Sequence, residues 1–160
     1  MKREFVEHVL MLMGMPVKLK GFRYITDAVL LLDTPEWQNP KWTALYYKIG
    51  TMNHDTASRV ERAIRNAFMT TRNRVADYEM VEHYIGFTNC ENSNSITFLY
   101  KNIKNEYAGR LRAQEEAKER REEHPEETEP EQLQTFNEVT AEMIKDIVRQ
   151  TLKEMLFEIA

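Results

Sequence analysis

Apolar side chains recur at intervals of three and four residues through most of the first 107 residues, and this spacing constrains the fold more than any other feature. It is typical of amphipathic helices, which have 3.6 residues per turn, whereas strands alternate with a period of two. Glycine and proline residues interrupt the pattern repeatedly. The sequence therefore predicts an all-α domain of six helices joined by short connections.

Turn-forming residues separate the six predicted helices. The third ends before Gly50-Thr51-Met52-Asn53, which supplies turn chemistry, and either Asp55 or Thr56 is placed to cap the fourth. The sixth fades into a charged stretch that begins at Arg110. The predicted ranges are 5–13, 24–32, 41–49, 57–71, 76–85 and 96–107.

Charge divides the chain into unlike pieces. Residues 1–112 carry 16 Lys and Arg against 12 Asp and Glu, a net of +4, whereas residues 113–160 carry 6 against 14, a net of -8. The overall net charge of -4 therefore conceals a cationic first piece, to which a polyanion would bind. We expect a helical domain at 1–112, an acidic linker or helix extension at 113–132, and an amphipathic helix at 133–160.

The helix predicted at 57–71 has two unlike faces. At 100° per residue, Val60, Ile64 and Phe68 share one face, which is apolar and belongs in the core. The opposite face and its edges are cationic and rich in hydrogen-bonding groups, and they comprise Ser58, Arg59, Glu61, Arg62, Arg65, Asn66 and Met69. A short helix, a glycine-containing turn and a second helix of this kind are typical of a helix-turn-helix, whose second helix enters the DNA major groove.

The side chains of this outward face suit base recognition in double-stranded DNA. Arginine forks take guanine O6 and N7 together, Glu61 can accept from cytosine N4, and Asn66 can pair with adenine if it lies deep enough. The cations Lys48, Arg72 and Arg74 are better placed for phosphates, where they raise affinity without choosing a sequence.

A plainer interpretation fits the same residues. Charged side chains on a helix commonly form a solvated face, and Glu61 and Arg65 stand at the i,i+4 spacing of an ion pair. The spacing Ser58-x-x-Glu61 also matches a capping box. Patterning alone leaves both interpretations open.

Residues 56–67 closely resemble the recognition helix of the C-terminal effector domain of the stage zero sporulation regulator A family. The resemblance extends from about residue 5 to residue 107 without a large gap. The other segments that carry it are Gly14-Met15-Pro16, Lys20-Gly21-Phe22-Arg23-Tyr24, Leu45-Tyr46 with Ile49, Gly86-Phe87-Thr88 and Asn94-Ser95.

This resemblance implies a six-helix DNA-binding domain that recognises a short box with a TGTCGAA-like core and regulates transcription through contacts with RNA polymerase. By the same resemblance, the base-facing residues are Arg59, Glu61, Arg62 and Arg65, and the residues near the phosphates are Thr56 and Ser58. Because the matching region begins almost at Met1, we expect no counterpart of the family's receiver domain. We therefore expect this chain to work without a phosphorylation switch of its own.

The remaining residues indicate neither catalysis nor metal binding. Cys90 has no second cysteine with which to form an internal disulfide, and the four histidines are scattered. No glycine-rich phosphate loop is present, and no apolar run approaches the roughly 18 residues of a membrane span. We expect a cytoplasmic protein that is not an enzyme, needs no cofactor or metal and does not bind membranes.

The C-terminal segment leaves the choice of partner open. Apolar residues recur at helical spacing between residues 143 and 159, and an isolated amphipathic helix needs a partner surface. Homodimerisation, docking on the chain's own domain, and binding of RNA polymerase or another regulator all fit, as does a simple extra core helix. We expect sequence-specific DNA binding with helix 57–71 in the major groove, and the alternative is a protein-interaction module that acts through its C-terminal extension.

Overall fold

The computed structural model describes residues 1–74, 77–88 and 90–123. In these ranges the regular structure is entirely helical, with six α-helices, a single-turn 3-10 helix at Pro35–Trp37 and no strand. The α-helices are α1 (Arg3–Leu12), α2 (Lys20–Leu32), α3 (Trp42–Met52), α4 (Ala57–Asn73), α5 (Tyr78–Tyr84) and α6 (Asn92–Glu123). The predicted all-α class and the six-helix domain are confirmed.

The turn between α3 and α4 differs from the prediction. The predicted turn at residues 50–53 is wrong because α3 continues through Met52. The turn begins at Asn53, and His54 adopts the left-handed region with a φ of 54°. Gly50 is needed for another reason: a Cβ there would lie 2.5 Å from the backbone oxygen of Asp55. Glycine at position 50 therefore leaves room for the backbone of Asp55 to pass close to α3 after the turn.

The boundaries of α5 and α6 also differ from the prediction. α5 is shorter, because the side chain of Asp77 accepts a hydrogen bond from Met80 N and caps it. α6 begins at Asn92 and continues to Glu123, well beyond the point where the apolar spacing fades. Residues of high helix propensity and i,i+4 pairs, such as Arg110 with Glu106, favour helix where amphipathic packing does not.

The chain divides into two compact units, Met1–Leu111 and Arg112–Ala160. In the second unit, residues 112–123 are the described part, and they are helical. There Lys118 Nζ lies 3.6 Å from Glu122 Oε1, one helical turn away. The rest of the predicted linker or helix extension, residues 124–132, and the amphipathic helix predicted at 133–160 lie outside the described residues.

The core of the first unit lies where α4 packs against α2 and α3. Its largest fully buried side chains include Phe68, Leu10, Met13, Ile25, Leu45, Ile49 and Ile64. At the crossing of α2 and α4, a Cβ on Gly21 would lie 2.6 Å from Ala67 Cβ and would also collide with the backbone oxygen of Ala63. Glycine thus permits the close backbone approach that holds α4 in place.

Candidate DNA-binding surface

The segment between α3 and α4 is fixed to its surroundings by hydrogen bonds. The backbone N–H of Asp55 donates to the oxygen of Gly50 at 2.9 Å. The side-chain amide of Asn53 donates to Asp27 Oδ2 and to the oxygen of Ile49, both at 2.9 Å. α3, the turn and α4 therefore form a helix-turn-helix whose second helix begins at a fixed place relative to α2 and α3.

The N-terminus of α4 is capped by Thr56. Its Oγ1 accepts a hydrogen bond from Arg59 N at 3.4 Å, and Asp55 Oδ1 accepts one from Thr56 N at 2.9 Å. Of the two predicted caps, Thr56 is the N-cap residue of α4. The capping box predicted at Ser58 is wrong, because Ser58 lies inside a helix that begins at Ala57.

The two predicted faces of α4 are present. The inner face is buried and consists of Val60, Ile64, Ala67, Phe68 and Thr71. The outward side chains of Ser58, Arg59, Arg62, Arg65 and Asn66 are all exposed, while Glu61 at the edge is partly exposed. Because the inner face is fully enclosed, the outward face is presented by a helix that cannot rotate without opening the core.

Two of the three outward arginines stand beside carboxylates. Arg65 Nη2 donates to Glu61 Oε1 at 2.9 Å, so the i,i+4 pair considered from the sequence is confirmed. Arg59 Nη1 lies 3.7 Å from Asp55 Oδ1. Arg62 has neither a hydrogen bond nor an ion pair within the described part of the chain. The guanidinium side of both pairs is largely exposed, so the pairs contribute little stability and the arginines can exchange their partner for another anion.

The five residues expected to contact phosphates lie in different environments, and Ser58 at the start of α4 is exposed. Lys48, Thr56 and Arg74 are exposed. Arg72 is half-buried, and its guanidinium donates to Gly86 O at 2.8 Å, to Ile85 O at 3.1 Å and to Ser95 Oγ at 2.7 Å. Burial lowers the pKa of Arg72 from its ordinary value. In the free protein, the guanidinium of Arg72 is therefore committed to three internal acceptors.

Asp55 has more partners than its predicted capping role required. Besides Thr56 N, its carboxylate accepts from the hydroxyl of Tyr24 at 2.9 Å and from Lys20 Nζ at 3.4 Å. The hydrogen bond from the Thr56 amide, followed by that from Tyr24, holds the pKa of Asp55 below its ordinary value. The i,i+4 spacing of Asp55 and Arg59 is the sequence signal that indicates this cluster.

α3 and α6 support the first half of α4. Asn92, the first residue of α6, donates from Nδ2 to the backbone oxygen of Glu61 at 2.9 Å. Tyr46 of α3 is buried, and burial raises the pKa of its hydroxyl to about 12. Tyr46 is therefore neutral at pH 7 and adds no charge beside Glu61.

Metal binding and thiol chemistry were also considered for the described ranges. There, no group of three or more His, Cys, Asp or Glu is placed to hold a metal ion. Cys90 is exposed, and its thiol donates to Phe87 O at 3.1 Å. Among the helices of residues 1–123 that the structure describes, none has the length and apolar character to cross a membrane.

A fixed second helix with a cationic outward face places this domain in the helix-turn-helix class used by transcription regulators. Comparison with known families shows that the family model described as sporulation initiation factor Spo0A C terminal matches residues 6–107, more than half of the chain. The chain belongs to this family, which is a DNA-binding domain of sporulation transcription factors. The resemblance seen in the sequence is confirmed, and the family is regulatory and not known for catalysis.

Proposed function

We propose that this domain regulates transcription by binding double-stranded DNA sequence-specifically, with α4 inserted in the major groove. One observation carries the proposal: α4 is locked by a fully buried inner face while Arg59, Arg62 and Arg65 remain exposed on the other. The 17 residues of α4 extend about 25 Å, and the major groove is wide enough to admit a helix. A rigid cationic rod of this size suits base readout.

The base-facing set in this proposal is Arg59, Glu61, Arg62, Arg65 and Asn66. Arg62 has its whole guanidinium fork available for guanine O6 and N7, because no group in the described residues occupies it. The pair between Arg65 and Glu61 holds a donor and an acceptor side by side, which suits adjacent guanine and cytosine edges. Asn66 is exposed one residue further along and offers an amide for adenine.

The phosphate-contacting set is Thr56, Ser58, Lys48 and Arg74. Thr56 and Ser58 stand at the N-terminus of α4, where backbone N–H groups and the helix dipole favour an anion. Arg74 lies just beyond the other end of α4, and Lys48 lies on α3. Exposed contacts before and after the base-facing set would fix the register of α4 on the duplex.

We also propose that the protein forms a homodimer and contacts RNA polymerase. The sequence of residues 133–160 supports a homodimer, because its apolar residues recur at helical spacing and two copies would place two recognition helices on paired half-sites. Contact with RNA polymerase follows from the family resemblance. Light scattering of the whole chain, alone and on a duplex with two half-sites, tests the dimer. A single-copy mass in both samples contradicts it.

Fluorescence anisotropy with duplexes selected from a random pool tests the DNA-binding function. We expect the selected duplex to bind at least about 10³-fold more tightly than a scrambled one. Arg62→Ala should reduce this preference. Lys101→Ala is the control, because Lys101 is exposed on α6 about 14 Å along the helix from Asn92. Failure of any duplex to bind at low salt overturns the proposal.

A further inference from the structure

The carboxylate of Asp55 lies immediately before the recognition helix and is almost enclosed, with 6% of the side chain exposed. It accepts hydrogen bonds from Thr56 N and the Tyr24 hydroxyl, both at 2.9 Å. Two cations approach it as well, Lys20 at 3.4 Å and Arg59 at 3.7 Å. The Asp55 carboxylate therefore contacts the backbone N–H of Thr56, just before α4. It also contacts Arg59 on the outward face of α4 and Lys20, the first residue of α2.

Both cations are open to solvent, with 75% of Lys20 and 77% of Arg59 exposed. Exposed cations beside a helix N-terminus attract the phosphates of any duplex, whatever its sequence. Asp55 opposes that attraction in two ways. Its charge offsets the cations, and its Oδ1 already accepts from Thr56 N, a donor that a phosphate oxygen would otherwise use.

We propose that Asp55 is a specificity-determining residue, which competes with DNA phosphates for Lys20, Arg59 and the Thr56 amide. The inference rests on the proposed DNA-binding function. At a cognate site Arg59 exchanges a 3.7 Å ion pair for a two-point contact with guanine, which is strong and directional. On unrelated DNA the exchange yields only an exposed, salt-screened contact with phosphate. Asp55 therefore weakens binding to unrelated DNA more than binding to the cognate site.

The turn itself does not depend on the charge of Asp55. Its backbone is held by the bond from Asp55 N to Gly50 O and by the side chain of Asn53. Asp55→Asn keeps an oxygen that can accept from Thr56 N and a polar group opposite the Tyr24 hydroxyl. The substitution thus removes the charge and leaves most of the local hydrogen bonding.

The test measures how the affinity of the whole chain for an unrelated duplex falls with salt. Each cation that gains a phosphate adds about 0.9 to the slope of log K against log salt. Releasing Lys20 and Arg59 should therefore steepen the slope of D55N by up to about 1.8 and raise its low-salt affinity several-fold. Glu36→Gln is the control, because it makes the same charge change at an exposed site beyond the opposite end of α2, about 18 Å away along that helix.

Two further variants separate this role from a general change of charge or fold. Asp55→Glu keeps the charge and should retain the slope of the unmodified chain. Combining Arg59→Gln with D55N should remove about half of the added slope, since one of the two released cations is gone. Circular dichroism checks the helix content of D55N, and Asp55→Ser replaces it in the titration if helix is lost.

The outcomes distinguish the two proposals. A steeper slope in D55N, unchanged slopes in E36Q and D55E, and a smaller effect on the selected duplex support the role of Asp55. If the unmodified chain binds DNA and the slope of D55N equals that of E36Q, the inference is overturned and the proposed function stands. If the unmodified chain binds no duplex at low salt, the proposed function is overturned and this inference with it.

Discussion

The two ends of α4 carry the same type of side chain in opposite environments. Near the N-terminus, Arg59 is largely exposed, and its partner is a carboxylate at 3.7 Å. At the C-terminus, Arg72 is half-buried and donates to two backbone oxygens and a serine hydroxyl at 2.7 to 3.1 Å. Residue type and helix position therefore do not decide whether an arginine is free to exchange its partner or is committed to the fold; the acceptors around it do.

The difference is energetic. Hydrogen bonds to a charged group contribute about 1.5 to 3 kcal/mol each when they are protected, whereas an exposed ion pair contributes about 0 to 1 kcal/mol. Arg59 could leave Asp55 for the two acceptors of a guanine edge at little cost. To contact a phosphate, Arg72 would have to give up its bonds to Gly86, Ile85 and Ser95, which connect α4 to the start of α6.

The largest predicted effect concerns the close crossing of α2 and α4, which holds α4 and its two ends in place. Gly21→Ala should lower the free energy of unfolding by about 3 kcal/mol, because the new Cβ collides with Ala63 and Ala67 and separates α2 from α4. Gly109→Ala is the matched control: nothing lies within 4 Å of a Cβ there, so alanine should stabilise α6 by up to about 1 kcal/mol. Urea unfolding measures both, and equal effects would contradict the close crossing.

The second prediction concerns Arg72 itself. Arg72→Ala should lower the free energy of unfolding by about 2.5 kcal/mol, since it leaves the oxygens of Gly86, Ile85 and Ser95 without their donor. The loss is smaller than the sum of three fully protected bonds because Arg72 is only half-buried and water can replace part of its contacts. Arg74→Ala, two residues further on and exposed, should change it by less than about 0.5 kcal/mol. Chemical unfolding followed by circular dichroism measures the difference. Similar values for the two variants would show that Arg72 does not secure the α5–α6 connection.

The sequence predicted the class of fold and the faces of α4 well, because both depend on local spacing. Val60, Ile64 and Phe68 are fully enclosed, and Arg62 is exposed, as the helical period requires. The period could not show what Arg72 contacts, because Gly86 and Ser95 are brought to it by tertiary packing. Contacts distant in sequence leave no local periodic signal.

The predicted ends of α3 and α6 were wrong for a related reason. Gly50 was expected to form a turn, but it is needed because Asp55 passes closely over α3. The length of α6 was underestimated because apolar spacing reports packing, and the helix continues where packing no longer supports it. There, propensity and ion pairs such as Lys118 with Glu122 favour helix instead.

The third prediction concerns Arg62, on the exposed outward face of α4. Arg62→Ala should weaken binding to a selected duplex by about 2 kcal/mol, or roughly 30-fold, and relax the preference at one base pair. The free energy of unfolding should change by less than about 0.5 kcal/mol, because Arg62 makes no ion pair in the described residues. Parallel titrations of single-base variants of the duplex measure the preference. A uniform loss on every duplex would assign Arg62 to phosphates.

The smallest predicted effect separates two neighbours on the same helix end. Arg74→Ala should weaken binding to every duplex about threefold and make the salt slope shallower by about 0.9, because one phosphate contact is lost. Arg72→Ala, measured at a temperature where it remains folded, should keep the slope, since its guanidinium is committed to Gly86, Ile85 and Ser95. Arg72→Ala should thus change the stability and keep the salt slope, whereas Arg74→Ala should change the salt slope and keep the stability. The reverse result would mean that Arg72 leaves its internal acceptors when DNA binds, and that exposure in the free protein does not determine which arginine contacts phosphate.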